Sequence, residues 1–381
     1  MDALMLPSNW QRVRLGDIGK PCMCKRVMKH QTTRYGEIPF YKIGTFGNTA
    51  DAFISKKLFL EYQTKYSFPK KGDILISASG TIGRAIIYDG KPAYFQDSNI
   101  VWIDNDETLV KNDFLFYAYS NVKWNTEHTT ILRLYNDNFR NTLIPLPSLN
   151  EQIAIADILS ALDRCLHALD SLIFKKESVK KALSFELLSQ RKRLKGFNQA
   201  WQKVRLGDIF FITAGGDLSK PHYSNTKQSD FNYPIYSNAI EKKGLYGYSS
   251  FFIIKNKSIT ITSRGTIGVA FFRDYPYVPI GRLLVLQPKI SNIDCRFYTE
   301  YINSKVKFNT EQTTIPQLTI PKVALCEIPL PPLNEQIAIA NILSALNKEI
   351  ASLKNKKRQF ENIKKALNHD LMSAKIRVLK K

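Results

Sequence analysis

Two nearly identical stretches decide the fold of this 381-residue chain: IPLPSLNEQIAIADILSAL at residues 144–162 and IPLPPLNEQIAIANILSAL at residues 328–346. In both, a proline-rich segment that cannot continue a helix backwards precedes Asn150 or Asn334, a residue type that caps helix N-termini. From there the apolar residues recur at alternating spacings of four and three, the heptad pattern of a coiled coil. The two stretches therefore predict two long helices, each with one apolar stripe.

The apolar stripe of each helix continues past the quoted stretch. It runs over Ile155, Leu159, Leu162, Leu166, Leu169 and Ile173 in the first copy and over Ile339, Leu343, Leu346, Ile350 and Leu353 in the second. Lys176 and Lys357 interrupt the stripes at equivalent places, after which the spacing resumes. We expect the first helix to end near Gly196. Because an apolar stripe needs a partner, we predict that the helices pair as an antiparallel coiled coil. Two separate helical hairpins are the alternative.

The remainder of the chain is also duplicated, in the same order. WQRVRLGDI at residues 10–18 returns as WQKVRLGDI at 201–209, SASGTIG at 77–83 as TSRGTIG at 262–268, and NTEHTTI at 125–131 as NTEQTTI at 309–315. The offset is too long for the repeat unit of a solenoid, so the copies are duplicated modules. Between these landmarks the copies diverge, as in KIGTFGNTADAFISKK at 42–57 and its counterpart YSNAIEKKGLYGYSSF at 236–251.

The globular part of each module is predicted to be β-rich. Runs such as GDILISAS, NIVWID, KSITITS and RLLVLQP are rich in β-branched and other apolar residues and are bounded by Gly, Pro, Asn and Asp. FLFYAYSNV and RFYTEYINS are predicted as short helices, and each module should hold one mixed, strongly curved sheet. The fold class is therefore α+β, with two β-rich domains at 1–149 and 196–333 alternating with helical spacers at 150–195 and 334–381. The internal repeat predicts a pseudo-twofold relation between the halves.

The composition indicates a cytoplasmic, multi-domain protein with a polyanionic partner. The 55 Lys and Arg exceed the 33 Asp and Glu, giving a formal net charge of +22, and each of the four segments is net basic. A positive field over the whole protein suits nucleic acid. No apolar run approaches the length of a membrane span, and the N-terminus lacks a signal-peptide core. The five cysteines form no CxxC pair, so we expect neither a disulfide framework nor a metal site.

Catalytic motifs are missing from the sequence. It contains no phosphate-binding loop of the type GxxxxGK[ST], no GxGxxG after a strand, and no [DNS]PP[YFW] signature of an amino-methyltransferase. Asp17 and Asp208 occupy matched positions in the repeated RLGDI, where a helix cap or turn is a better explanation than catalysis. The pattern favours a binding protein whose catalysis is supplied by a partner.

The candidate DNA-contacting residues lie in the GTIG loops and the divergent stretches. Each GTIG sequence lies between two predicted strands, where glycine permits a tight loop. Ser79 of the first loop corresponds to Arg264 of the second, and arginine pairs bidentately with guanine. The candidates are Lys42, Thr45, Asn48, Lys56, Lys57, Ser79, Thr81 and Arg84 in the first module and Asn238, Lys242, Lys243, Tyr246, Tyr248, Ser263, Arg264 and Thr266 in the second. Alternatively, the loops serve folding alone, and the other residues form a solvated surface.

The WxxVxLGDI, SxGTIG and PLPxLNEQ motifs, all present twice and in this order, make the chain resemble the DNA-specificity subunit of type I restriction–modification systems. The resemblance covers nearly the whole sequence. It implies that residues 1–149 and 196–333 are target recognition domains, each reading one half of a bipartite double-stranded DNA target. It also implies that the helices hold these domains at a fixed separation and bind two modification subunits.

The same resemblance implies a non-enzymatic role for this chain. S-adenosylmethionine, ATP and Mg are expected on partner subunits, which methylate adenine and, where a restriction subunit is present, translocate and cleave DNA. No cofactor and no membrane contact are expected here. The alternatives are a solitary or architectural nucleic-acid-binding protein with tandem β modules, and a nuclease with an unrecognised site.

Overall fold

The computed structural model describes residue 7 and residues 9–126, 132–308 and 316–378. The chain divides into two compact units: unit 1 comprises Met1–Leu169 and Lys356–Lys381, and unit 2 comprises Asp170–Asn355. Each unit thus combines one β-rich module with parts of both long helices. The repeated NTEHTTI and NTEQTTI segments lie outside the described residues, apart from Asn125 and Thr126.

Unit 1 contains nine strands in three sheets among its described residues. The strands are β1 Gln11–Arg14, β2 Gly19–Met23, β3 Ile38–Tyr41, β4 Phe53–Ile54, β5 Ile74–Ser77, β6 Ala85–Ile87, β7 Tyr94–Phe95, β8 Ile100–Asn105 and β9 Leu143–Leu146. Its helices are α1 Leu15–Ile18, α2 Lys56–Lys65, α3 Asn112–Tyr119 and α4 Asn136–Arg140, with a 3-10 turn at Lys29–Gln31. The first long helix, α5 Leu149–Leu188, starts in this unit.

The strands of unit 1 pair mainly in antiparallel fashion. The order β2-β8-β5-β6 forms an antiparallel sheet, β4-β3-β7 forms a smaller mixed sheet in which β3 and β7 run parallel, and β1 pairs with β9. One core cluster packs α3 and the long helices, through residues such as Phe114, Leu159 and Leu371, against the larger sheet. The single curved sheet predicted for each module is therefore wrong, because the divergent segment forms a sheet of its own.

Unit 2 repeats this plan. Its strands are β10 Gln202–Arg205, β11 Phe210–Ala214, β12 Tyr223–Ser224, β13 Tyr233–Tyr236, β14 Leu245–Ser249, β15 Ser258–Ile261, β16 Ala270–Arg273, β17 Val278–Pro279, β18 Leu284–Pro288 and β19 Glu327–Leu330. Its helices are α6 Leu206–Ile209, α7 Cys295–Lys305 and α8 Ile320–Ala324, with 3-10 turns at Lys220–His222 and Glu241–Gly244, and the second long helix is α9 Leu333–Met372. The sheets are antiparallel β11-β18-β15-β16, mixed β12-β14-β13-β17 and the pair β10-β19. The two predicted short helices are confirmed as α3 and α7.

Both long helices are continuous across the lysines that interrupt their stripes, and each has 40 residues. The predicted caps and the predicted end are wrong. Helix α5 begins at Leu149, and the Ser148 hydroxyl accepts a hydrogen bond from Glu151 N at 3.4 Å. It ends at Leu188 because Gln190 turns to a φ of +59°, a left-handed conformation that closes helix C-termini.

The two helices pack against each other in antiparallel fashion within each unit. In unit 1, Lys364 of α9 pairs with Asp163 of α5 at 2.5 Å. In unit 2, Lys176 pairs with Glu349 at 2.7 Å and Lys354 with Glu177 at 2.6 Å. Stripe residues such as Ile155, Leu159 and Ile173 of α5 and Ile339, Leu343 and Ile350 of α9 are buried. The α+β class, the internal repeat and the pairing of the helices are thereby confirmed.

The repeated Trp and NEQ motifs meet in the core of each unit. Trp10 Nε1 donates to the buried Glu151 carboxylate at 3.0 Å, and Arg377 Nε donates to it at 2.6 Å. Trp201 Nε1 and Arg193 Nη2 bind Glu335 in the same way, at 2.8 and 2.7 Å. A buried carboxylate needs such donors. This network explains why the tryptophan and the glutamate recur together in both copies.

Candidate nucleic-acid interface

The two GTIG loops are built on the same hydrogen bonds. In unit 1 the Ser77 hydroxyl donates to Thr81 O at 2.5 Å and accepts from Arg84 N at 2.9 Å. In unit 2 the Thr262 hydroxyl donates to Thr266 O at 2.6 Å and accepts from Val269 N at 2.9 Å. Each loop is thus closed by a buried hydroxyl at its base, and its exposed side chains can differ without changing this frame.

The glycines of the loops have the left-handed backbone that the sequence suggested. Gly80 and Gly83 have φ of +66° and +86°, and Gly265 and Gly268 have +67° and +88°. A Cβ at Gly83 would lie 2.2 Å from Trp124 Nε1, whereas a Cβ at Gly80 would meet no atom within 4 Å. The absence of a side chain at Gly83 therefore allows the Trp124 indole to pack directly against the loop.

Four of the candidate loop residues are exposed, and two are not. Thr81, Arg84, Arg264 and Thr266 are exposed at the loops. Ser79 is 5% exposed and donates to Asn99 Oδ1 at 2.6 Å, and Ser263 is fully buried and donates to Arg282 O at 2.7 Å. The two serines therefore support the loops from inside, and this burial argues against their proposed contact with DNA.

In unit 1 the divergent stretch lies against the GTIG loop. A cavity of about 300 Å³ is lined by Ile43, Gly44 and Phe46 on one side and by Gly80, Thr81 and Arg84 on the other. Arg84 Nη1 donates to Phe46 O at 2.9 Å, which joins the two segments directly. The divergent stretch and the GTIG loop of unit 1 thus form one surface.

The remaining candidates of unit 1 differ in whether their side chains already have partners within the unit. Lys42 pairs with Asp51 at 2.8 Å, and the Thr45 hydroxyl accepts from Lys42 N at 3.1 Å, which closes a turn. Asn48 is exposed, and its backbone N–H donates to Thr45 O at 2.9 Å. Lys56 and Lys57 are exposed in the first turn of α2, and no contact in the described residues connects them to the GTIG loop.

In unit 2 a corresponding surface is held by Asn238. Its Oδ1 accepts from Ser263 N at 2.7 Å, and its Nδ2 donates to Gly281 O at 2.6 Å. The amide therefore connects the divergent stretch to the GTIG loop, and both of its polar atoms are already engaged. Arg264 is exposed beside it, and Arg264 Nη2 donates to Gln317 Oε1 at 3.2 Å.

The other unit 2 candidates lie on the divergent stretch itself. Lys242 and Lys243 are exposed in the turn before β14. Tyr246 is 50% exposed and its ring lies 5.6 Å from that of Tyr223, while Tyr248 is half-buried on the same strand. Sequence reasoning missed Arg273, which is buried directly under this turn. An arginine inside an apolar strand, where the first copy has Tyr88, was the available signal.

Each interface carries an arginine, but at opposite ends of the loop. Arg84 follows the GTIG sequence in unit 1, and Arg264 precedes it in unit 2. Guanidinium groups bind phosphates and guanine edges, so the two surfaces present the same chemistry in different positions. This difference on a common frame is the arrangement expected of two modules that read different base sequences.

Among the described residues, Cys24 and Cys295 are buried thiols and the repeated Asp17 and Asp208 cap short helices. Burial raises the pKa of the Cys24 and Cys295 thiols to about 12, so both stay protonated at neutral pH and are poor nucleophiles. Asp17 and Asp208 accept hydrogen bonds from Arg14 N and Arg205 N at 3.3 and 2.9 Å, which is a capping role. No group of three or more His, Cys, Asp or Glu among the described residues could hold a metal ion. In the same part of the chain, no helix has an apolar stretch that could span a bilayer.

Comparison with known proteins identifies the duplicated module. The family described as the type I restriction modification DNA specificity domain matches residues 7–173 and 198–362. A putative type I restriction enzyme specificity subunit of Haemophilus influenzae is 62% identical over 148 residues, which cover 39% of this chain but only 38% of that protein. The putative MjaX specificity subunit of Methanocaldococcus jannaschii is 24% identical over 407 residues, covering 98% of this chain and 95% of that protein.

The fold has also been seen in a solved structure. The crystal structure of a type I restriction–modification system S subunit from M. genitalium superimposes with a TM-score of 0.68 over 97% of this chain and 98% of that chain. The sequence identity is 19%, so this likeness concerns the fold.

Proposed function

The chain belongs to the type I restriction–modification DNA specificity family, and on this premise we propose that it reads a bipartite DNA target and directs partner adenine methyltransferase subunits to it. Unit 1 would read one half-site and unit 2 the other. The observation that carries the proposal is the pair of GTIG loops, which share one hydrogen-bonded frame and expose Arg84 and Arg264 at opposite ends.

The catalytic steps are assigned to partners. The chain would act in the cytoplasm with two modification subunits, which bring S-adenosylmethionine, and with restriction subunits, which bring ATP and Mg, where these are present. The basic excess of +22 supports binding to double-stranded DNA through its phosphates. Base contacts from a few exposed side chains would then add the specificity.

Methylome mapping tests the proposal directly. The full chain is co-expressed with a modification subunit from the same host, and methylated adenines are mapped by long-read sequencing. Replacing residues 1–149 with the module of a relative should change one half-site and leave the other intact. If both half-sites change together, the units do not read DNA independently.

Two single substitutions form a matched pair for the same experiment. Arg264→Ala should relax only the half-site read by unit 2, and Arg84→Ala only the other, because a bidentate arginine–guanine contact is worth about 1–3 kcal/mol of discrimination. If the wild-type complex methylates adenines without sequence preference, the chain is an architectural DNA-binding protein and the proposal fails.

A further inference from the structure

The lysine pair of unit 2 has an unusual backbone conformation. Lys242 and Lys243 have φ of +48° and +54°, and Gly244 follows at +83°, so three consecutive residues are left-handed. Lys243 N donates to Ile240 O at 3.0 Å, and Ser237 N donates to Gly244 O at 2.9 Å, which closes the turn. Residues with a Cβ adopt this conformation at a cost in free energy that glycine or asparagine largely avoids. The presence of two lysines here therefore suggests a use for their ammonium groups.

A buried arginine supports this turn from below. Arg273 is 1% exposed, and its Nη2 donates to Lys243 O at 2.5 Å. Its Nε donates to Thr260 Oγ1 at 3.2 Å, and its Cζ lies 3.5 Å from the centroid of the Tyr236 ring. These partners are a carbonyl, a hydroxyl and a ring face, and none is a carboxylate. Burying a guanidinium without a counter-charge is costly, and the turn gains a fixed positive charge beneath its two lysines.

The common scaffold does not require this arginine. Five residues after the last glycine of the loop, unit 1 has Tyr88 where unit 2 has Arg273. Tyr88 is also buried, donates its hydroxyl to Lys91 O at 2.7 Å and packs edge-on against Phe95. A neutral aromatic side chain thus fills the same place in the first copy. The buried Arg273 guanidinium is therefore one of the features that distinguish the surface of unit 2 from that of unit 1.

We propose that Lys242 and Lys243 form a binding site for two phosphates of a DNA backbone, and that Arg273 is the positioning residue that holds their turn. This inference rests on the proposed DNA-binding function and assigns a task within it. Lys242 and Lys243 are exposed, and neither makes an ion pair within the described part of the chain. Phosphate contacts fix register and orientation on the duplex without reading bases. The turn would therefore place unit 2 so that Arg264 can contact base edges.

Salt-dependent binding of the full chain to a random-sequence duplex of about 40 base pairs tests the lysines, because phosphate contacts are independent of sequence. Each phosphate neutralised contributes about 0.9 to the slope of log affinity against log salt, so Lys242→Ala/Lys243→Ala should make the slope less steep by about 1.8. Raising NaCl from about 50 to 200 mM should then reduce the affinity of this variant about tenfold less than that of the wild type. Lys255→Ala/Lys257→Ala removes the same charge from two other exposed lysines of unit 2 and should leave the slope unchanged.

A double-mutant comparison tests the arginine. Arg273→Gln should weaken binding in the wild-type background and have no further effect in Lys242→Ala/Lys243→Ala, because it acts through the turn. An equal loss in both backgrounds would mean that Arg273 acts elsewhere, and would overturn its assigned role. If Arg273→Gln does not fold, the phosphate site itself is tested with Lys242→Asn/Lys243→Gly. It keeps residues suited to the left-handed turn without the ammonium groups, and a wild-type slope would refute the phosphate site.

The outcomes separate this inference from the function on which it rests. If the wild-type chain binds no duplex, both are overturned. If it binds DNA, and Lys242→Ala/Lys243→Ala has the slope of wild type or the same slope as Lys255→Ala/Lys257→Ala, only the phosphate site at the turn is refuted.

Discussion

Substituting Arg193 by Met should leave a buried carboxylate without its cation. The Glu335 side chain is 1% exposed, and Arg193 donates to it through Nη2 at 2.7 Å and Nε at 3.2 Å. After the substitution only Trp201 Nε1, at 2.8 Å, still donates to this carboxylate among the contacts described above. Removing one partner of a buried ion pair costs about 3–5 kcal/mol. Because the Arg193 side chain is 24% exposed and water can reach it, we expect the lower end, about 3 kcal/mol.

Thermal unfolding of the full chain measures this effect. For a unit of this size, about 3 kcal/mol corresponds to a fall of about 6–12 °C in the Tm of unit 2. Adding Glu335→Gln to Arg193→Met should restore part of the loss, because a neutral amide costs less to bury and its carbonyl still accepts from Trp201. The control is Lys203→Met, which breaks the exposed ion pair with Glu327 and should leave the Tm unchanged.

Two results would refute the reasoning. Equal Tm values for Arg193→Met and Lys203→Met would mean that burial does not strengthen the Glu335 pair. A double variant no more stable than Arg193→Met would mean that the uncompensated charge is not the source of the loss. The equivalent Arg377→Met should destabilise unit 1 to a similar extent, because Arg377 binds Glu151 in the same geometry.

Three further substitutions probe unit 1, all by thermal unfolding of the full chain. Gly83→Ala should lower the free energy of unfolding by about 2 kcal/mol or more, because the new Cβ would overlap Trp124. Gly80→Ala should lower it by about 1 kcal/mol, from the left-handed backbone alone. Equal losses would contradict the role of the indole. Lys364→Met should cost about 1–2 kcal/mol, since it removes the half-buried pair with Asp163, and an unchanged Tm would mean that this pair does not hold α9 in unit 1.

The long helices were predictable because their signal is local and periodic. The four-three spacing from Ile155 onward defined both the helices and their buried faces. Their ends were not predictable in the same way. Gln190 and Ala374 take the left-handed conformation that usually marks glycine, with φ of +59° and +56°, so the sequence carries no distinctive residue at either end.

The candidate interface was predictable as a set of segments, but not as individual side chains. The glycines of GTIG and the divergence around it located both surfaces. The burial of Ser79 was not predictable because it depends on Asn99, twenty residues further along, which accepts its hydroxyl hydrogen bond. Arg273 was overlooked because the turn that it supports is thirty residues away in the sequence. Such contacts between distant segments have no counterpart in motif spacing.

The way each GTIG loop is built explains how one scaffold can carry two different surfaces. The frame depends on a hydroxyl at Ser77 or Thr262 bonded to backbone atoms, so the side chains at the tip take no part in closing the loop. Arg264 can therefore be gained or lost without disturbing the sheet beneath it, whereas Arg84 also joins its loop to Phe46 O. The Trp–Glu–Arg networks at the helix starts are a contrast, because there the arginine neutralises a buried carboxylate and the tryptophan donates a hydrogen bond to it. Substitutions in those networks should reduce stability, whereas substitutions at the loop tips should change what is bound and leave the fold intact.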